Sequence, residues 1–198
     1  MHKVILPIIV VAVVAILVSG CSIGNVKTTT SKLDKTTVTE LIPYGSALNK
    51  VYFSLVGDPK DKNKIIMAVS VNSPHRFDDE DSLVFKVEDD TYSFRSIDKN
   101  TEFAKTTFIE KVDKGVSVVN NDVWGTKRYR IDKSFLERLA SSKWTAVRVK
   151  LEKDRVIEDE LILARRAFAT FLAAYDGTKI RVPRYDRNYH LNKSKNGV

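Results

Sequence analysis

The stretch "DKSFLERLASSKWTAVRVKLE", residues 132–152, changes its hydrophobic period halfway along, and that change decides the fold class. Phe135, Leu136 and Leu139 recur at helical spacing behind the candidate N-cap, Asp132 or its neighbour. From Lys143 the period becomes two. Val147, Val149 and Leu151 line one face of a strand, and Trp144, Ala146, Arg148 and Lys150 line the other. A helix therefore runs directly into a strand, with no long linker between them.

Upstream the chain reads as β-structure. "VYFSLVG" (51–57) and "KIIMAVSV" (64–71) are apolar runs separated by the turn-forming "DPKDKN". In "SLVFKVEDDTYSFRS" (82–96) Leu83, Phe85 and Val87 alternate, Asp89-Asp90 supply a turn, and Tyr92 and Phe94 resume on a return strand. "TEFAKTTFIEKV" (101–112) and "GVSVVNNDVWGTKRYRI" (115–131) continue in kind, and the polar centre of "VVNNDVWG" predicts a further hairpin. Downstream, "EDELILARRAFATFLAAYDG" (158–177) predicts the strongest helix. Acids open it, where the helix dipole favours them, and Gly177 is the C-cap. Leu161, Ala164, Phe168, Phe171, Leu172 and Tyr175 make its apolar stripe, with Arg165 and Arg166 off centre. Strands followed by helix–strand–helix predict an α+β domain, an antiparallel β-sheet with two carboxy-terminal helices packed on one face.

The segments outside this domain differ in texture. Residues 21–46 are rich in Thr, Ser and Lys and bury too little apolar surface to offset ordering entropy, which predicts a flexible tether. "TVTELIPY" within it has the pattern to dock on the fold. The globular domain is expected over residues 47–177 and a basic tail over 178–198. That tail carries Lys179, Arg181, Arg184, Arg187, Lys193 and Lys195 against Asp186 alone. The whole chain of 198 residues has a formal charge of +8, from 33 cations and 25 acids, so the tail holds most of the surplus.

Catalytic equipment is sparse. The histidines are His2, His75 and His190, the only cysteine is Cys21, and there are eight glycines. No serine-hydrolase elbow, zinc-binding His pair or phosphate-binding glycine loop is present. No cofactor is implied. Asp78, Asp79 and Asp81, in the run that includes Glu80, are candidate cation ligands, although such a run is more often a solvated turn. Arg148, a charge inside an apolar strand, is either a ligand-binding group or a partner for a neighbouring acid.

The amino terminus has its own pattern. Met1-His2-Lys3 carries one cation, and Val4–Val18 has fifteen residues without charge or hydroxyl. That length suits a secretory signal and falls short of the roughly 20 residues of a spanning helix. Ser19 and Gly20 stand directly before Cys21. The quartet Val18-Ser19-Gly20-Cys21 resembles the lipobox of bacterial lipoproteins, with Val in place of the commoner Leu. The resemblance implies attachment of a diacylglycerol to the Cys21 thiol, removal of residues 1–20, acylation of the new amino group by a palmitate-type chain, and anchorage in the cell envelope. Ser22, in a Gram-negative host, implies the outer membrane, facing the periplasm. The ending over residues 129–175 also has a faint likeness to small envelope lipoproteins.

For an exported chain of this kind the expected contacts are membrane lipid through Cys21, and anionic lipid, lipopolysaccharide or cell-wall polymer through the tail, rather than nucleic acid. A protein partner is not identified by the sequence. The leading expectation is a non-enzymatic binding or assembly module. A cell-wall or envelope enzyme built on the acidic loop and His75, and a surface-exposed lipoprotein that shields the cell or meets a host, are the alternatives.

Overall fold

The computed structural model describes residues 26–30, 37–44, 51–58, 61–112 and 116–190. Ten strands and two helices follow in the order β1 (Val26–Thr30), β2 (Thr37–Tyr44), β3 (Val51–Gly57), β4 (Lys64–Asn72), β5 (Leu83–Val87), β6 (Asp90–Phe94), β7 (Glu102–Val112), β8 (Val116–Asp132), α1 (Lys133–Ser141), β9 (Thr145–Leu151), β10 (Arg155–Glu160) and α2 (Ala164–Asp176). The fold is α+β and every strand pairing is antiparallel. The strands form two sheets where one was expected, ordered β1-β2-β3-β4-β8-β7 and β10-β9-β5-β6.

Alternation along the strands puts one row of each sheet into a shared core. Val51, Phe53 and Leu55 of β3 and Ile65, Met67, Val69 and Val71 of β4 come from the larger sheet. Leu83, Phe85 and Val87 of β5 and Val147, Val149 and Leu151 of β9 come from the smaller. The two sheets meet where Phe53 faces Phe85, ring centres 6.2 Å apart. The helices pack on each other beside this contact. From α2 Phe168 sets its edge on Phe53 at 5.6 Å, and from α1 Phe135 lies 5.5 Å from Phe85 and 4.8 Å from Phe94. Such aromatic pairs prefer edge-on or tilted geometry because ring faces are negative and ring edges positive.

The α1–β9 reading of residues 132–152 matches the structure closely. Asp132 precedes α1 in extended conformation without a side-chain capping bond; its carboxylate instead pairs with the Lys64 ammonium of the neighbouring strand. The β5–β6 hairpin also forms, with Val87 opposite Asp90, so Glu88 and Asp89 make the turn. Glu88 takes φ 55° there.

Four expectations are corrected. The helix predicted over 158–177 starts at Ala164, and its acidic beginning is strand β10, paired with β9 from Arg155↔Leu151 to Glu160↔Ala146. A hairpin partner immediately upstream outweighs the dipole preference of three acids. Leu161 is buried in the connection between strand and helix. Gly177 caps α2 as predicted, at φ 82° with its N–H on the Ala173 carbonyl. The predicted turn in "VVNNDVWG" does not occur. β8 runs unbroken because β7 pairs with it throughout, Asn120 opposite Phe108 and Asn121 opposite Thr107.

The tether over 21–46 contains β1 and β2, so part of it belongs to the sheet. β-branched threonines suit a pleated surface, and Thr28 and Thr30 bond across to Thr39 and Thr37 at 3.2 and 3.1 Å. Leu41 of "TVTELIPY" enters the core, as that segment's pattern allowed. Arg165, placed off the apolar stripe by sequence, is only 2% exposed. In the tail, residues 178–190 form no strand and contribute no fully buried side chain. They lie along the domain as an irregular strap, with Asp186 N–H on the Lys143 carbonyl at 3.0 Å and His190 against Trp144 at 4.5 Å.

Candidate binding cleft

A cleft of about 500 Å³ opens between the β4–β5 loop and the β6–β7 loop, with Glu152 of the β9–β10 turn on its rim. Backbone pairing fixes the β4–β5 loop in place. Phe77 bridges to Leu151, Asp78 N–H donates to the Lys150 carbonyl at 3.1 Å, and Glu152 N–H donates to the Arg76 carbonyl at 2.9 Å. The second loop is tied to the first by Phe77 N–H on Thr101 Oγ1, 2.9 Å. Both loops close over β8 at Gly125, which has no side chain to obstruct them. A Cβ there would stand 3.2 Å from Thr101 Cγ2 and 3.3 Å from Phe103 Cε1.

The charges around this cleft divide into committed and uncommitted groups. Asp98 is held by Arg128, whose Nη2 lies 2.7 Å from Oδ1 and whose backbone N–H lies 2.7 Å from Oδ2. Burial would raise the Asp98 carboxyl, but these bonds outweigh it and hold the group below its ordinary 3.8. Glu152 faces His75 Nδ1 at 3.5 Å. Asp79 lies 3.7 Å from the Lys127 ammonium, and Asp78 accepts the N–H of Asp79 on its side chain. Arg76, Arg95 and Lys99 also line the cleft. Their side chains make no ion pair or hydrogen bond with the described residues.

Lys127 stands behind the cleft wall and is nearly inaccessible, at 1% exposure. It belongs to the inward row of β8 with Tyr129 and Ile131. A buried ammonium must be solvated by the protein, and its Nζ donates to the Asp78 carbonyl at 3.2 Å. Tyr129 is satisfied by Ser82 Oγ at 2.7 Å, and burial pushes its phenol well above the ordinary value. Sequence reading passed over Lys127. The alternation Lys127, Tyr129, Ile131 in "TKRYRI" is the signal that would have placed it inward.

The sequence-predicted residues scatter. Asp78 and Asp79 line the cleft, whereas Asp81 and His75 do not. Among the described residues no three His, Cys, Asp or Glu side chains group closely enough to hold a metal ion. Arg148 is on the outer face of the smaller sheet, half-exposed, and its Nε donates to Glu158 directly across on β10. That is the pairing with a neighbouring acid, one of its two readings. Cys21 lies outside the described residues. Among the described residues no helix is long and apolar enough to cross a membrane.

A second unusual group lies near Ser142 and Thr145, at the other end of β9 from the cleft. Arg165 of α2 donates to the Ser142 carbonyl and, at 3.4 Å, to the Pro183 carbonyl of the strap, and its guanidinium stacks 4.8 Å from the Tyr185 ring. Burial lowers its pKa, and its Nε is the only buried side-chain N or O without a hydrogen-bond partner among the described residues. The chemistry around it is enclosed and belongs to strap docking, whereas the cleft is open to solvent and bears free charge. Compared with known protein families, curated proteins and solved structures, the chain finds no match.

Proposed function

We propose that the chain is a lipid-anchored, non-enzymatic binding or assembly module of the bacterial cell envelope. The observation that carries this reading is the lipobox-like quartet ending at Cys21, five residues before Val26 opens β1. An extended chain advances at most about 3.5 Å per residue, so lipid on Cys21 holds the first sheet within about 18 Å of the membrane. One acyl chain binds marginally, and two or more bind firmly, since each buried methylene contributes about 0.8 kcal/mol. With Ser22 after the cysteine, a Gram-negative host would carry the protein on the outer membrane, facing the periplasm. The cleft, with recognition groups on both walls, supports binding as the activity.

The strap adds a surface contact. Lys179, Arg181, Arg184 and Arg187 are exposed along it and suit anionic lipid, lipopolysaccharide or cell-wall polymer. The experiment is labelling of the full chain in cells with a palmitate analogue, with mass spectrometry of the mature amino terminus. Lipid on Cys21, absent from Cys21→Ser, is the expected result. An unmodified Cys21 at or inside the mature terminus overturns the anchor.

A further inference from the structure

We propose that the cleft between the β4–β5 and β6–β7 loops binds a phosphate monoester carried on a hydroxyl-bearing scaffold, the chemistry of a sugar phosphate. The volume of about 500 Å³ lies within the range of small-ligand sites, roughly 300–1,000 Å³. Formal charge alone points the other way, because four acids and three cations line the space. What decides is which of those charges are already engaged. Asp98 is clamped by the Arg128 fork, Glu152 faces His75, and Asp79 faces the buried Lys127. Asp78 is turned back on its own loop. A metal ion would have to break these contacts to gain ligands.

The cations are in the opposite condition. Arg76 on one wall and Arg95 and Lys99 on the other are exposed and make no ion pair or hydrogen bond through their side chains with the described residues. Guanidinium forks match the tetrahedral oxygens of a phosphate, and a dianion rewards convergence of several cations more than a single carboxylate does.

The remaining lining suits the scaffold of such a ligand. The Asn100 amide is uncommitted among the described residues, and the Thr101 hydroxyl accepts Phe77 N–H while its own proton is free to donate. The outer oxygens of Glu152 accept sugar hydroxyls. Ile97, 46% exposed, offers an apolar rim for the C–H face of a ring. Loops pinned to β9 and to each other fix the backbone of both walls, so binding orders only the long side chains of the three cations.

The proposal rests on the reading of the protein as a binding module and is independent of the lipid anchor. A failure of Cys21 labelling leaves it standing, and a failure here leaves the anchor standing. The test is isothermal titration of the full-length protein in mild detergent with glucose 6-phosphate, glucose, inorganic phosphate and calcium chloride, with sedimentation against vesicles containing phosphatidylglycerol, after detergent removal, as a separate arm. Glucose 6-phosphate should saturate one site, more tightly than inorganic phosphate, and glucose alone should not bind. Arg95→Glu and Lys99→Glu, both on exposed side chains, should each weaken binding at least about tenfold, while Arg155→Glu on β10 should leave it unchanged. Circular dichroism confirms that each variant is folded. The proposal is overturned by no saturation up to about 10 mM, a range already weaker than ordinary recognition. It is equally overturned by affinity that both cleft reversals leave intact, or by binding confined to vesicles or to calcium.

Discussion

Replacing Tyr185 by Leu should separate the strap from the domain energetically while leaving the core intact. The Tyr185 ring covers the Arg165 guanidinium at 4.8 Å, and its hydroxyl reaches the Thr145 carbonyl at 3.4 Å. Leu preserves much of the apolar bulk and removes both interactions. A desolvated cation–π contact contributes on the order of 2 kcal/mol. The hydroxyl bond, long and therefore weak, adds about 0.5 kcal/mol. The substitution should thus cost about 2–2.5 kcal/mol in total, which for a chain of this size lowers the melting temperature by roughly 4–10 °C.

The double-mutant cycle with Arg165→Met gives the sharper measurement. Met fills the buried channel without charge, so Tyr185→Leu in that background should lose only the hydroxyl part. The coupling should be about 1.5–2 kcal/mol, read from thermal unfolding of the full-length protein followed by circular dichroism. A coupling under about 0.3 kcal/mol, the usual error of additivity, would refute the claim that the strap is docked on the buried cation. The same contacts imply that a chain ending at Gly177 is destabilised, because Arg165 then loses its ring, its Pro183 carbonyl and its cover.

Acid should destabilise the protein through Asp98 and Asp176. For Asp176, burial acts upward but bonds from Lys133 and Thr178 prevail, so both carboxyls sit below the ordinary 3.8 in the folded state. A depressed carboxyl contributes stability above the unfolded value and loses it as pH falls through the folded one. Melting temperature should therefore be steady from neutral pH to about 5 and fall below about 4; an unchanged acid slope in Asp98→Asn would count against the Arg128 clamp. At the β9–β10 turn, Lys153 and Asp154 take φ 60° and 56°, where side chains cost about 1 kcal/mol each. Lys153→Asn with Asp154→Gly suits that geometry and should raise the melting temperature by about 2–4 °C per kcal/mol gained, and a decrease would show that the turn is held by something other than its dihedrals.

Local periodicity was sufficient for the elements whose faces differ. In residues 132–152 the apolar side chains mark a helix and then a strand, and the structure has both. The β5–β6 alternation and the Gly177 cap are legible for the same reason, because each depends on a face or a dihedral of its own segment. Segments that need a partner to declare themselves were decided by tertiary structure. "RVIEDE" has one inward apolar residue and becomes β10 only because β9 lies beside it. Asn120 and Asn121 read as a turn until β7 supplies opposing backbone, and threonine-rich β1 and β2 gain order only by pairing, β1 on β2 and β2 on β3. The cleft was hidden most completely. Sequence shows which side chains carry charge, but whether a charge is free depends on what the fold sets against it. Arg128 engages Asp98 and leaves Arg95 and Lys99 facing solvent, and Lys127 and Arg165 are buried at positions where a basic residue ordinarily signals surface, because their ammonium and guanidinium groups find carbonyls contributed by distant loops.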